Sequence, residues 1–176
     1  MTEQDVLRRL VELKETDPDG VRLLAAEIDA QCRGPARAVL DTWGNGAPDR
    51  DIPCAFVCSE LKELAVDEML RRADSVAPAR RVQFMEMVVA QQGAFRELTL
   101  TVLEPLLKDK SPAGAELRTC EAAYLLIRRM VTLRGAEAAE FSSEGSFVAL
   151  SPDQREREIR RWTNSAAWKA IFPNRR

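Results

Sequence analysis

The stretch of sequence that decides the fold is Glu116–Val131, which reads ELRTCEAAYLLIRRMV. Apolar residues recur along it at alternating steps of three and four: Leu117, Cys120, Tyr124, Ile127 and Val131. This spacing places them on one face of an α-helix. Ala122, Ala123, Leu125 and Leu126 extend that face around most of the helix. The stretch therefore predicts a helix that is covered on several sides rather than laid on a surface.

The composition around this stretch is that of an all-α protein. The chain has 176 residues, of which 45% are hydrophobic and 31% are charged, the balance of a folded globular protein. Ala, Leu, Glu and Arg are abundant, and residues that favour strands are scarce outside helical patterns. A chain of this length supports one sizeable core and is short for two. We therefore predict a single all-helical domain over residues 1–176.

Prolines at regular intervals predict where the helices begin. They occur at positions 18, 35, 53, 78, 112 and 152, each at the start of an amphipathic stretch. The first three are 17 and 18 residues apart, and Pro78 and Pro112 are 34 apart. These spacings match one helix with its turn and one helical hairpin. We expect about eight to ten helices, stacked as antiparallel hairpins in an α-solenoid, with an irregular multi-helix bundle as the alternative.

Three segments carry finer expectations about helix breaks. Pro105 cannot continue a regular helix, so its helix should either kink there or end its regular bonding near Thr101–Leu103. The segment Ile52–Arg72 is either one long helix or two helices broken near Ala65. Phe147–Leu150 follows a loop-like sequence and is expected as a short extended piece beneath the last helices.

The tail of the chain has a clear helix-start signal. Ser151–Gln154 supplies a serine N-cap, a proline at the first helical position and a glutamine at the third, which is a capping box. Ile159 and Trp162 follow on one side of this helix. Asn164-Ser165 divides it from a second, shorter helix. Residues 151–173 are therefore predicted to be a C-terminal capping helical segment.

Two segments of this last third resemble bacterial HEAT-like repeat proteins. They are RTCEAAYLLIRRM at 118–130 and LSPDQREREIRRW at 150–162, with another tryptophan six residues on. In that family a last repeat helix has a Cys- and Ala-rich face, and a terminal helix ends in an Arg-Trp pair followed by a second Trp. The matching positions are Cys120, Ala122, Ala123, Leu126, Ile159, Arg161, Trp162 and Trp168. The resemblance implies an α-solenoid scaffold with a protein partner, and it implies no reaction.

The chain lacks the motifs that carry enzyme chemistry. It has no histidine, which removes the commonest general base and the commonest metal ligand. It contains no phosphate-binding glycine loop, nucleophile elbow or zinc-protease motif. Cys54 and Cys58 share a helical face, but Cys32 and Cys120 are isolated, so the four are interpreted as buried thiols. We predict a protein that is not an enzyme and has no cofactor and no metal.

Four arginine doublets are the best candidates for partner contacts: Arg71-Arg72, Arg80-Arg81, Arg128-Arg129 and Arg160-Arg161. If the fold aligns them, they form a ridge for phosphates or for an acidic protein surface. Arginines near helix C-termini also complement the helix dipole and cover apolar neighbours, which is the purely structural alternative. The candidate partner-binding residues are Arg128, Arg129, Arg160, Arg161 and Trp168.

Net charge and hydropathy bound the function further. The net charge of −2 and the pI near 5.4 disfavour nucleic acid as a partner. There is no apolar run of about 18 residues for a transmembrane helix, and MTEQDVLRRL lacks a signal-peptide core. We predict a cytoplasmic, non-catalytic protein–protein interaction scaffold or adaptor, alone or as a subunit of a larger assembly, with no membrane partner. Binding of nucleic-acid backbones through a basic face is the alternative.

Overall fold

The computed structural model describes residues 2–13, 17–31, 33–45, 51–92, 97–113, 116–133 and 144–171. In these ranges every regular element is helical, and the one β-type pairing is an isolated bridge between Pro112 and Arg118. The prediction of an all-α protein is confirmed, and the helices are more numerous than expected. The α-helices are α1 (Glu3–Glu12), α2 (Pro18–Gln31), α3 (Arg33–Asn45), α4 (Asp51–Glu60), α5 (Glu63–Arg71), α6 (Pro78–Gln92), α7 (Glu97–Leu103), α8 (Thr119–Leu133), α9 (Glu144–Ala149), α10 (Pro152–Thr163) and α11 (Ala166–Ile171). Two 3₁₀ helices span Ala73–Ser75 and Glu104–Lys108.

The helices pack in two rows. Among the described residues, α1, α3, α5 and α7 pack on one another in that order, and α2, α4, α6, α8 and α10 do the same. Each helix from α1 to α6 therefore packs chiefly on the helix two positions along, while α3 also contacts α2, α4 and α6 and so joins the rows. None of the helices in the described ranges is long and apolar enough to cross a membrane.

Five of the six predicted prolines lie in the first turn of a helix. Pro18, Pro78 and Pro152 are the first residues of α2, α6 and α10. Pro35 and Pro53 are the third residues of α3 and α4, which is still within the first turn. The missing N–H costs nothing there, because the first amides of a helix have no partner inside it.

Pro112 is the exception, because α8 begins at Thr119 and not near Glu116 as predicted. The intervening chain folds back on the helix start. The Thr119 N–H donates to the Ser111 carbonyl at 2.8 Å, and the Cys120 N–H donates to the Asp109 carbonyl at 2.8 Å. These carbonyls satisfy amides that α8 cannot bond within itself, so the preceding loop closes the N-terminus of the helix.

The helix α8 is enclosed, as its sequence predicts. It packs on α6, on the Glu104–Lys108 3₁₀ helix and on α10. Ala123, Tyr124 and Ile127 are fully buried. The Tyr124 ring meets the Trp162 ring edge-on at a centroid distance of 5.2 Å, so α8 and α10 are joined by an aromatic contact.

Two expectations about irregular segments need correction. Phe147–Leu150 is not extended, since Phe147 lies in α9 and its ring packs 4.8 Å from that of Tyr124. Carbonyls at the end of α9 accept hydrogen bonds from Arg155, which compensates for their missing helical partners. The other correction concerns Ile52–Arg72, which forms two helices that are broken at Leu61-Lys62 and not near Ala65.

A long-range hydrogen bond explains the position of that break. The Lys62 N–H, at the start of α5, donates to the Asp29 carboxylate of α2 at 2.9 Å. An acidic oxygen at this place caps α5 from a neighbouring helix, which no local pattern reveals. The expectation for Pro105 is confirmed, because α7 ends at Leu103 and the chain continues as a 3₁₀ helix.

The capping box of the tail is confirmed in both directions. Ser151 Oγ accepts from the Gln154 N–H at 3.4 Å, and Gln154 Oε1 accepts from the Ser151 N–H at 2.8 Å. The predicted break at Asn164-Ser165 separates α10 from α11. Residues 172 and 173, the end of the predicted capping segment, lie outside the described residues.

Candidate functional site

A cleft of about 430 Å³ lies between the Glu104–Lys108 3₁₀ helix, α8, α10 and α11. We call it the C-terminal cleft. Its apolar floor is formed by Leu107, Cys120, Ile159 and Trp168. Its charged rim is formed by Glu104, Lys108, Lys110, Glu156 and Arg160. Two of the predicted partner-binding residues, Arg160 and Trp168, therefore share one site.

Stacked aromatic rings hold the floor of the C-terminal cleft in place. Trp168 is only 9% exposed, and its ring packs 4.8 Å from that of Trp162. Trp162 in turn contacts Tyr124, which is fully buried. At the start of α11, Ser165 Oγ accepts from the Trp168 N–H at 3.2 Å. The floor is therefore an extension of the core, and the predicted surface role of Trp168 is limited to its edge in the cleft.

Glu156 organises the cations of the rim. Lys110 Nζ donates to both of its carboxylate oxygens at 3.0 Å, and Arg160 Nη2 donates at 3.3 Å. Arg118 Nη1 approaches the same carboxylate at 3.6 Å. The hydrogen bond from Lys110, its charge, and the charges of the two arginines lower the pKa of Glu156. The Glu156 carboxylate is thus within ion-pair distance of three cations.

Behind the rim lies a buried ionic network centred on Glu121, which is 1% exposed. Arg118 donates to it from its backbone N–H at 2.8 Å and from Nη2 at 2.6 Å. Arg155 Nη1 donates at 3.3 Å to Oε2, the oxygen that also accepts the Arg118 backbone N–H. Burial alone would raise the pKa of Glu121, but the hydrogen bonds from Arg118 and the charges of both arginines lower it.

A second polar group ties α8 to α10 beside the aromatic rings. The Tyr124 hydroxyl donates to Glu158 Oε1 at 3.2 Å, and Arg128 Nη1 donates to that hydroxyl at 3.4 Å. The Arg128 guanidinium also lies over the Tyr124 ring, 5.4 Å from its centroid. Burial raises the pKa of Tyr124, and the approach of Glu158 adds to this effect, so the phenol stays neutral.

A larger groove of about 690 Å³ follows α6 and α8. We call it the α6–α8 groove. Arg80, Gln83 and Met87 line it from α6, and Ala122, Leu125, Leu126 and Arg129 line it from α8, with Trp43 and Val148 beside them. These residues repeat every three or four positions, so the groove runs along both helices.

One side of the α6–α8 groove contains a pre-organised Trp–Arg pair. The Arg80 guanidinium lies 5.1 Å from the centroid of the Trp43 ring and donates to the Trp43 carbonyl at 3.0 Å. Trp43 Nε1 donates back to the Arg80 carbonyl at 3.3 Å. Arg80 also donates to Gln83 Oε1 at 3.0 Å. The guanidinium is therefore fixed over the ring.

The four predicted doublets do not all lie on one surface, although Arg80 and Arg129 both line the α6–α8 groove. Arg128 is mostly buried, with a side chain 12% exposed, whereas Arg129 is exposed in the α6–α8 groove. Arg160 lines the C-terminal cleft, and Arg161 is exposed but does not line either site. The doublets near α5 and α6 also have local partners: Arg72 Nε donates to Glu68 at 2.8 Å, and Arg81 Nη2 donates to the carbonyls of Asp74 and Val76 at 2.7 and 2.9 Å.

The described cysteines are buried in the core. Cys54, Cys58 and Cys120 are 0%, 3% and 5% exposed, and none of the three is in a disulfide. Burial raises the pKa of the Cys58 thiol and of the Cys120 thiol. Among the described residues, which do not include Cys32, no group of three Cys, Asp or Glu side chains is arranged to hold a metal ion. Cys120 faces the C-terminal cleft as part of its floor.

The sequence analysis missed the residues that hold the tail in place. Arg155 and Glu121 are not among the predicted site residues, yet both are buried. A signal was present, because Arg155, Ile159 and Trp162 are spaced by four and three on the inward face of α10. A charged residue on an apolar stripe is the expected sign of a buried ion pair.

Comparison with protein-family models, with curated proteins and with solved structures finds no match to the chain. The resemblance to HEAT-like repeat proteins therefore stays a prediction from the sequence.

Proposed function

We propose that the chain is a bacterial HEAT-like α-solenoid that serves in the cytoplasm as a non-catalytic protein-binding scaffold or adaptor. The two rows of helices support this proposal, because stacked helical hairpins place each helix on the helix two positions along. The enclosed Cys- and Ala-rich α8 and the Arg-Trp end of α10 are the features that resemble the family.

The α6–α8 groove is the observation that carries the proposal. Its apolar lining includes Met87, Leu125 and Leu126. Beside them lie the Trp43–Arg80 pair, the exposed Arg129 and the polar side chains of Gln83 and Glu86. Tryptophan and arginine are the residue types most often found at energetic centres of protein interfaces. A groove that runs along two helices fits an apolar face of a partner segment, with anchors spaced by three and four residues.

Nucleic-acid binding is not favoured by the arrangement of the basic residues. Arg80 and Arg129 share the α6–α8 groove, but Arg160 lies in the C-terminal cleft. Arg72, Arg128 and Arg160 each pair with an acidic side chain. A phosphate backbone requires several unneutralised cations along one surface.

Site-specific photo-crosslinking tests the scaffold function. A benzophenone amino acid is placed at Gln83 in the α6–α8 groove, and a matched probe replaces Arg157, an exposed residue of α10 outside both sites. We expect a discrete protein adduct from position 83 and none from position 157. The adducted protein is then purified and its affinity for the chain is measured by calorimetry.

Charge reversal in the groove provides the second arm. Arg129→Glu should weaken the affinity about tenfold or more, since truncated interface arginines cost about 1.4 kcal/mol or more. Arg157→Glu is the matched control and should leave the affinity unchanged. Equal adducts from both probe positions, or turnover of a substrate by the purified chain without any protein partner, would contradict the proposal.

A further inference from the structure

The C-terminal cleft has the size and shape of a small-molecule site. Its volume of about 430 Å³ lies within the usual range of roughly 300–1,000 Å³ for such sites. The floor side chains of Cys120, Ile159 and Trp168 are 5%, 7% and 9% exposed, so the cleft opens directly onto the core. Removing this apolar surface from water is favourable for any ligand with a flat apolar body.

Contacts within the protein hold the walls of the C-terminal cleft in place. Trp168 is fixed by the Trp162 ring at 4.8 Å and by the cap that Ser165 supplies to its N–H. The rim is fixed as well, because Lys110 and Arg160 both bind the Glu156 carboxylate. A pre-organised site loses little conformational entropy on binding.

The charge of the lining favours an anion. The lining contains three cations, Lys108, Lys110 and Arg160, and two carboxylates, Glu104 and Glu156. Arg118 adds a further positive charge, because its Nη1 lies 3.6 Å from the Glu156 carboxylate. Among the described residues, Lys108 has no carboxylate within ion-pair distance. A ligand carboxylate at the rim would therefore meet at least one cation that is not already paired.

We propose that the C-terminal cleft binds a small organic anion with a flat aromatic body and one carboxylate group. The aromatic body lies on the floor against Trp168, where ring contacts add to the apolar burial. The carboxylate accepts hydrogen bonds from Lys108 and Arg160 at the rim. The proposal depends on the cleft alone and is independent of the scaffold function of the α6–α8 groove.

A pair of probes that differ only in charge tests the proposal. 1-Naphthylacetate and its neutral amide are titrated into the full chain by calorimetry. The Trp168 indole N–H is followed in ¹⁵N NMR spectra and assigned with Trp168→Phe. We expect the anion to bind at least tenfold more tightly than the amide, because each charge-assisted hydrogen bond from the rim is worth about tenfold in affinity, and to shift the Trp168 signal.

Variants of the rim separate this site from adventitious binding. Arg160→Gln and Lys108→Gln should each weaken the affinity for the anion about tenfold and leave the affinity for the amide unchanged. Arg161→Gln is the matched control, since Arg161 is exposed next to Arg160 and does not line the cleft. Circular dichroism verifies that each variant keeps its fold. Arg160→Gln should not disturb the fold, because the Arg160 side chain is 73% exposed. Equal affinities for anion and amide, an unmoved Trp168 signal, or the same loss in Arg161→Gln would overturn the proposal.

Discussion

Arg155 and Glu121, which are 34 positions apart in the chain, form a buried ion pair with Nη1 and Oε2 separated by 3.3 Å. Arg155 also donates to the carbonyls of Leu150 at 2.9 Å and Glu116 at 3.1 Å. One side chain thereby connects α10 with the end of α9 and with the chain that enters α8. The docking of the last helices depends on this arginine and on the carboxylate that neutralises it.

Glu121→Gln should lower the free energy of unfolding by about 3 kcal/mol, because it leaves Arg155 buried without its counter-charge. Urea unfolding followed by circular dichroism measures the change. Glu60→Gln, at an exposed position of α4, is the matched control and should stay within about 0.5 kcal/mol of the parent. A loss for Glu121→Gln no larger than that of the control would show that the pair contributes little.

Stability should fall in acid through the same residue. The folded state lowers the pKa of Glu121 below its ordinary value of 4.5, so the unfolded chain takes up the proton first. The contribution of Glu121 is therefore complete above pH 4.5 and is lost as the pH falls through the lower, folded-state pKa. Urea unfolding at several pH values between 7 and 3 measures the effect. The difference in the free energy of unfolding between the parent and Glu121→Gln should become smaller as the pH falls. If that difference stays constant over this pH range, protonation of Glu121 does not cause the loss of stability in acid.

Trp162→Ala should be among the most destabilising single substitutions and should lower the free energy of unfolding by about 3–5 kcal/mol. Its side chain is 1% exposed and contacts the rings of Tyr124 and Trp168, so its removal leaves a cavity between α8, α10 and α11. Leu64→Ala, at a position 75% exposed, should change stability by less than about 0.5 kcal/mol. Thermal and urea unfolding of both variants test the contrast, and similar losses would argue against an aromatic core at this end.

Ser151→Ala should remove the N-cap of α10 and lower the free energy of unfolding by about 1 kcal/mol. Ser151→Asp preserves an accepting oxygen at the same place and should retain most of the stability. Hydrogen exchange of the amides at the start of α10 reports the local effect. If Ser151→Asp loses as much as Ser151→Ala, the hydroxyl has a role other than capping.

Local sequence patterns predicted the helices well where caps and apolar spacing coincide. Ser151 with its capping box, Pro105 at the end of α7, and the enclosed face around Tyr124 all follow from short stretches. These features depend on residues three or four positions apart, which a single sequence displays directly.

The features that were missed depend on distant partners. The break at Leu61-Lys62 is capped by Asp29, 33 positions earlier, and α9 is completed by Arg155. The C-terminal cleft likewise needs a 3₁₀ helix, α8, α10 and α11 together. The predicted pair Arg160 and Trp168 does share this cleft, whereas Arg128 is occupied by Tyr124 and Glu158. Local spacing identified the residue types, and long-range packing decided their surroundings.

The two-row order of the helices has a consequence for how the chain folds. Because most helices pack on the second helix along, their contacts join segments that are close in sequence, and such topologies fold rapidly from local nuclei. The bonds of Arg155 differ, since they span 5, 7, 34 and 39 positions at once. The helices α8, α9 and α10 should therefore form and open as one cooperative unit, with amide protection that rises and falls together along all three.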